Sequence, residues 1–317
     1  MNPIRLFSGL CLALFAAVAF AQTYPSKPVR LISPFPPGGG TDAVARVLAQ
    51  SLTEQLGQQV LVDSRGGASG MIGVEAAVRS PPDGYTLVMG NVIPLAMLPA
   101  ATKVPYDVQR DLAPVSLAAL SDYILAVHPS VPAKSIKELI ALAKARPGEL
   151  TFASSGNFSG PHLAGELLNL AQNIKLVHIP YKGTGPAAIA AMTGETTMMF
   201  GTGPSVVPHL PSGRLRALAT TGVKRSIPEL PTIGEFVTGY EVTQWYGILV
   251  PTGTPPEIIE RLNGAIVRGV ASPKLAQVLT NLGTQPRTST PEEFRAFIRT
   301  ESERWAKVIK AANIKAE

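Results

Sequence analysis

Five times along this chain a short apolar run of β type breaks into a loop of glycine, serine and threonine. The runs are Val29–Ser33, Gln59–Val62, Leu150–Ala153, Leu176–Tyr181 and Met198–Phe200. Beyond most of them the hydrophobic period lengthens to that of a helix. After the first, Val44, Val47, Leu48, Leu52 and Leu56 fall on one face of a helix predicted over 41–56. Strand and helix in alternation imply a largely parallel sheet with helices over it, because parallel neighbours need a long crossover that packs back on the sheet. In such sheets the loops beyond the carboxyl ends of the strands gather together, and ligands bind there. The pattern therefore sets the α/β class and indicates where a site should be sought.

At 317 residues the chain has room for two such units. Tyr123–Val127 and Trp245–Val250 are apolar and flanked by turn residues, and the crossings between units belong near them. Domain one is then 22–122 plus 244–317, with domain two, 123–243, inserted between. Thr86–Gly90 reads as a further strand after the Pro81–Gly84 turn, and Val74–Arg79 as helix. Ser135–Glu138 and Thr290–Glu293 are capping boxes that open helices, and Thr254–Glu257 starts another.

The first 21 residues read as a signal peptide. Arg5 supplies the positive start and Leu10–Phe20 an apolar stretch too short to span a bilayer. Ala19-Phe20-Ala21 fits small-x-small cleavage before Gln22. Cys11, the only cysteine, lies in that stretch, so the mature chain has none. Export without disulfides fits a bacterial periplasmic protein with a good core. The net charge of +6 carries no lysine or arginine run, so nucleic acid is not an expected partner.

The loop Phe35-Pro36-Pro37-Gly38-Gly39-Gly40-Thr41-Asp42 carries the most chemistry. Its glycines let backbone approach a ligand, and the helix start beyond presents unpaired N–H groups and partial positive charge. A nucleotide loop would place lysine and then serine or threonine after the last glycine. Here Thr41 and Asp42 follow, so a small carboxylate suits the loop better, with Asp42 assigned to helix capping. In Arg65–Gly70, Ser69 could bond a ligand, although a plain connecting turn has the same composition. Ser154–Gly160, Lys182–Gly185 and Gly201–Ser205 add hydroxyls and backbone N–H groups without bulk, among them Ser155, Ser159, Thr184 and Thr202.

Enzyme motifs are weak. Gly183–Ala188 matches G-x-G-x-x-A, but it stands outside the first strand–helix unit and Glu195 follows too early to serve a ribose. Neither a cofactor nor a metal is expected, since the four histidines lack ligand spacing. No nucleophile elbow is present, and Ser154, Ser155 and Ser159 have no base beside them in sequence, though a triad assembles in space. A secreted serine-type hydrolase is the weakest of the readings.

Several segments, in order, resemble the periplasmic solute-binding proteins of tripartite tricarboxylate transporters, the Bug family of Bordetella-like bacteria. They are Pro36–Asp42, Pro82–Leu87, Pro105–Asp107, Pro132–Ser135, Pro180–Gly183, Arg214–Ala219 and Trp245–Gly247. The resemblance implies a two-domain, type II periplasmic-binding-protein clamshell (a Venus flytrap) that closes on a carboxylate and is not an enzyme. It implies that Phe35 and Gly38, Gly39 and Gly40 cradle the carboxylate, with Ser69, Ser155, Ser159 and Thr184 as further contacts. It also implies the membrane subunits of a secondary carrier as partners of a monomeric protein. A sensory binding protein that signals to a membrane receptor would share the same site. The chain departs from the family at Asp63–Gly70, where E-N-R-P-G-A-G-G is frequent. It departs again at Gly201, where an aspartate is frequent, and that loss implies a ligand without an α-amino group.

Overall fold

The computed structural model describes residues 24–312, and the expected signal peptide over 1–21 lies outside them. In chain order the main elements begin with β1 (Val29–Ser33), α1 (Gly40–Leu56), β2 (Val60–Ser64), α2 (Met71–Val78), β3 (Thr86–Asn91) and β4 (Leu112–Val127). There follow α3 (Ile136–Ala145), β5 (Thr151–Ser154), α4 (Gly160–Gln172), β6 (Val177–Pro180), α5 (Thr184–Thr193), β7 (Met198–Thr202) and β8 (Arg216–Thr220). The chain closes with β9 (Thr243–Pro251), α6 (Pro256–Ala271), α7 (Pro273–Asn281), β10 (Gln285–Pro286) and α8 (Pro291–Ala312).

The strands lie in the order β2-β1-β3-β9-β4-β7-β5-β6, with β8 and β10 attached to β4. Each half holds a parallel core, β2-β1-β3 in one and β7-β5-β6 in the other. Between the cores run β9 and β4, antiparallel to each other and to their neighbours. They are the strands on which the chain passes between halves, so they need no helical crossover and can run against the rest. β4 changes partners midway: Leu112–Asp122 pairs with β9, and Tyr123–Val127 with β7 and β8. The predicted strand over 123–127 is only its second part. Two register shifts, beside Ser116 and Ala119, break the alternation in the first part and hide the strand in the sequence.

Local signals account for the helices. α1 buries Val44, Ala45, Leu48, Ala49, Leu52 and Leu56 and stops at Gly57, whose left-handed φ of 70° suits glycine. Of the two predicted capping boxes, the one at Thr290 forms in full and the one at Ser135 forms by half. Ser135 Oγ accepts from Glu138 N–H, but Glu138 accepts from Lys134 N–H, one residue before the N-cap, whereas Thr290 and Glu293 at the start of α8 accept reciprocally from each other's N–H. The buried face of α8 carries Phe294, Ile298 and Trp305 against the central strands. Phe294 meets the β9 residue Trp245 edge to face, centroids 5.5 Å apart. Gly247 makes room for this ring, since a side chain there would enter Phe294.

Candidate ligand-binding site

A cavity of about 640 Å³ opens where loops of both halves meet. From one half come the β1–α1 loop, Ser69 and Ile93. From the other come the loops β5–α4 and β6–α5 and Thr202, at the end of β7. Phe35, Gly38, Gly39, Gly40, Ser69, Ser155, Ser159, Thr184 and Thr202, all expected from the sequence, line this one cavity. They converge because each follows a strand of a parallel core, and those strands direct their carboxyl ends towards the gap between halves.

The loops are held in conformations few side chains favour. Gly38 has φ 86°. Of the non-glycine residues with positive φ among the described residues, Ala68 and Ser69 form one cavity turn and Phe158 sits in another cavity loop, while Asn173 ends α4. Backbone strain gathered at one cavity is the usual mark of a built ligand site. Asp42 secures the first loop from behind. It accepts from Gly38 N–H (3.2 Å), Arg46 Nε (2.9 Å) and Ser64 Oγ (3.2 Å). Burial works to raise its carboxyl, and these bonds outweigh burial and hold it below the ordinary value. Its expected capping role is therefore refined: Gly39 is the N-cap of α1, and Asp42, in the first turn, reaches back to tie the loop.

Hydrogen-bonding capacity is left over towards the cavity. Gly39 and Gly183 cap α1 and α5 without a side-chain acceptor, so first-turn N–H groups of both helices remain available to a ligand. The hydroxyls of Ser69, Ser155 and Thr184 make no side-chain hydrogen bond among the described residues, whereas Ser159 donates to Gly156 O (2.8 Å) and accepts from His162 N–H (3.3 Å). Ser159 shapes its loop as much as it lines the cavity. The lining includes one formally charged side chain, Lys182, and no carboxylate.

Sequence reasoning missed the polar residues on the two crossing strands. Tyr123 of β4 and Gln244 and Tyr246 of β9 line the cavity, and Tyr123 Oη donates to Gln244 Oε1 at 3.3 Å. Burial raises both phenols, Tyr246 to about 12 despite the opposing pull of Gln244, so they stay neutral donors. The available signal was a tyrosine on each crossing strand, Tyr123 in β4 and Tyr246 in β9. Lys182 and Asn157 were passed over as ordinary loop residues, and both line the cavity.

Residues 44–314 match the family model described as "Tripartite tricarboxylate transporter family receptor". The chain belongs to that family. Protein BugT of Bordetella pertussis is 40% identical over 326 residues, covering 99% of each chain. Among solved structures, an R. palustris protein with adipate superposes with a TM-score of 0.84 at 34% identity, covering 92% of this chain and 99% of that one. MatC of Rhodopseudomonas palustris with bound malate gives 0.79 at 28% identity, covering 90% and 100%. The periplasmic binding protein BugD gives 0.81 at 32% identity, covering 92% and 99%. The protein is thus a periplasmic solute-binding protein of the TctC/Bug type, with the Venus-flytrap fold expected from its motifs.

Two expectations change within this family frame. Ser154 does have a base beside it: His178 Nε2 lies 2.6 Å from its Oγ, an arrangement only the fold could create. Ser154 is fully buried, accepts from Gly156 N–H, and does not line the cavity. His178 stacks on His162 (centroids 3.8 Å apart), whose Nδ1 accepts from Phe158 N–H. The group therefore braces the β5–α4 loop rather than facing a substrate. At Gly201, a side chain would run into Met199, Val206 and Ser205, and Gly201 does not line the cavity. The geometry gives no support for ligand choice by that position.

Proposed function

We propose that this protein captures a small carboxylate in the cleft between its two halves for a tripartite tricarboxylate-type secondary carrier. Domain one, 22–122 plus 244–317, and domain two, 123–243, close on the ligand about β4 and β9. The observation that carries this reading is the cavity wall. It offers two helix starts without side-chain caps, three uncommitted hydroxyls and a lysine, with no carboxylate to repel an anion. These donors compensate a carboxylate for the water it loses on closure. The adipate and malate of two structural relatives support the ligand class. The signal peptide directs export and is cleaved near Ala21, and the mature monomer hands its ligand to the carrier's membrane subunits.

The test is a thermal-shift screen followed by calorimetry against mono-, di- and tricarboxylates. A ligand at about 100 times its dissociation constant adds roughly 2.7 kcal/mol of stability. Absence of a shift with every acid would refute capture of a carboxylate.

A further inference from the structure

The phenols of the two crossing strands each abut the glycine that opens a helix at the cavity. Tyr246 Oη lies 3.1 Å from the point where a Cβ on Gly40, the first residue of α1, would stand. A Cβ on Gly160, the first residue of α4, would enter the Tyr123 ring and hydroxyl. Gln244 links the two. Tyr123, Gln244 and Tyr246 are 3%, 5% and 2% exposed, and all three line the cavity. Gln244 Oε1 accepts from Tyr123 Oη at 3.3 Å, and Gln244 also acts on the Tyr246 phenol, against the rise that burial causes. With its oxygen taken by Tyr123, the amide has its NH2, a donor, left for Tyr246. The Tyr246 oxygen thus faces a donor and keeps its own proton to give. No group among the described residues takes that proton.

We propose that Tyr246 is a further ligand-binding residue, its hydroxyl donating to a carboxylate seated at the start of α1, and that Gln244 is the positioning residue that aims it. The inference rests on carboxylate capture and deepens it. The start of α1 has no side-chain cap, so its first-turn N–H groups lack acceptors, and Tyr246 Oη borders the same helix end. A carboxylate accepts from several donors at once, so the hydroxyl adds a charge-assisted bond to those of the N–H groups. The ring is already buried, so little side-chain freedom is lost when the bond forms. A neutral phenol also strands no charge in the ligand-free cleft, as a buried cation would. The donors run from one half to the other. Tyr123 abuts the start of α4 and gives its proton to Gln244, so the donor that meets the ligand in the first half is held from the second.

Calorimetry with adipate, malate, succinate, citrate and acetate, on wild type, Tyr246→Phe, Gln244→Met and the double variant, tests this. Tyr246→Phe keeps the ring against Gly40. It should lose roughly 10- to 100-fold in affinity for each acid that wild type binds, the worth of a hydrogen bond to a charged group. Gln244→Met should lose less, and should add nothing in the Tyr246→Phe background, because it acts through that hydroxyl. The unfolding midpoint of ligand-free Tyr246→Phe should change little, since the lost proton has no acceptor in the fold. In isotope-edited infrared spectra the carboxylate stretch of the bound acid should move between wild type and Tyr246→Phe, which a role in packing alone would not cause. Unchanged affinity or an unmoved carboxylate band in Tyr246→Phe overturns the contact and leaves carboxylate capture standing. A full further loss from Gln244→Met in the Tyr246→Phe background overturns its positioning role. Wild type that binds none of the five acids overturns the inference together with carboxylate capture.

Discussion

Asp122 sits where β4 changes partners, and its replacement by asparagine should reverse a pH-dependent weakness of the fold. Only 7% of the residue is exposed, Oδ2 has no hydrogen-bond partner among the described residues, and Gly222 packs directly against the carboxyl. Burial, with the nearby Glu241 charge, pushes the carboxyl from 3.8 up to about 6, against the pull of Ser226. A raised folded pKa means that the folded state keeps a proton which the unfolded chain releases. Its contribution is full below about pH 4 and is lost as pH rises through 6. A displacement of about two units corresponds to roughly 3 kcal/mol, most of it developed between pH 4 and 8. An amide at this position cannot ionise, so the stability of Asp122→Asn relative to wild type should climb by roughly 2–3 kcal/mol across that range. Urea unfolding followed by tryptophan fluorescence would read it, since Trp245 and Trp305 are both buried. A constant offset from lost or gained hydrogen bonds does not matter, because only the change with pH is at issue. A stability difference that stays flat from pH 4 to 8 would refute the claim that this carboxyl is held buried.

The histidine pair should act with the opposite sign. Burial lowers His162 to about 4, and burial with the neighbouring His162 lowers His178 to about 4, so wild-type stability should fall as pH drops from about 6.5 towards 4. Imidazole titration by NMR would check both values, and a normal pKa at either ring would contradict the stacking argument. Asp42→Ala should cost about 1–3 kcal/mol by leaving Gly38 N–H and Ser64 without their acceptor. It should also weaken carboxylate binding, measured by calorimetry, because the glycine loop loses its tie. Gly160→Ala would place its methyl group in the Tyr123 side chain, destabilising the protein by roughly 1–3 kcal/mol and displacing a cavity residue. Unchanged stability and affinity would mean that β4 yields there freely. Trp305→Ala, at 1% exposure, should cost about 3–5 kcal/mol in chemical unfolding.

Much of this architecture is written locally, and so was legible. The 3.6-residue spacing of Val44, Leu48 and Leu52, the side-chain caps at Ser135 and Thr290, and the glycine at the end of α1 are consequences of neighbours along the chain. The alternation of strand and helix carried the α/β class. It also carried the prediction that five loops would share one cleft, because parallel strands send their carboxyl ends the same way. Other features depended on residues far apart in sequence. The first part of β4 was hidden because its order is imposed by the β9 partner across two register shifts, not by its own alternation. The contact between Ser154 and His178 spans 24 positions, and that between Tyr123 and Gln244 spans 121, so no spacing rule could announce either. Residue order alone thus set the class of fold, the loops that form the site and the anionic character of what they can hold. Packing in three dimensions made Ser154 a brace, drew the cavity's phenols from the crossing strands, and left Lys182 as its lone charge. Burial and charge pairing are properties of the assembled neighbourhood, and the chain alone does not state which distant side chains will share it.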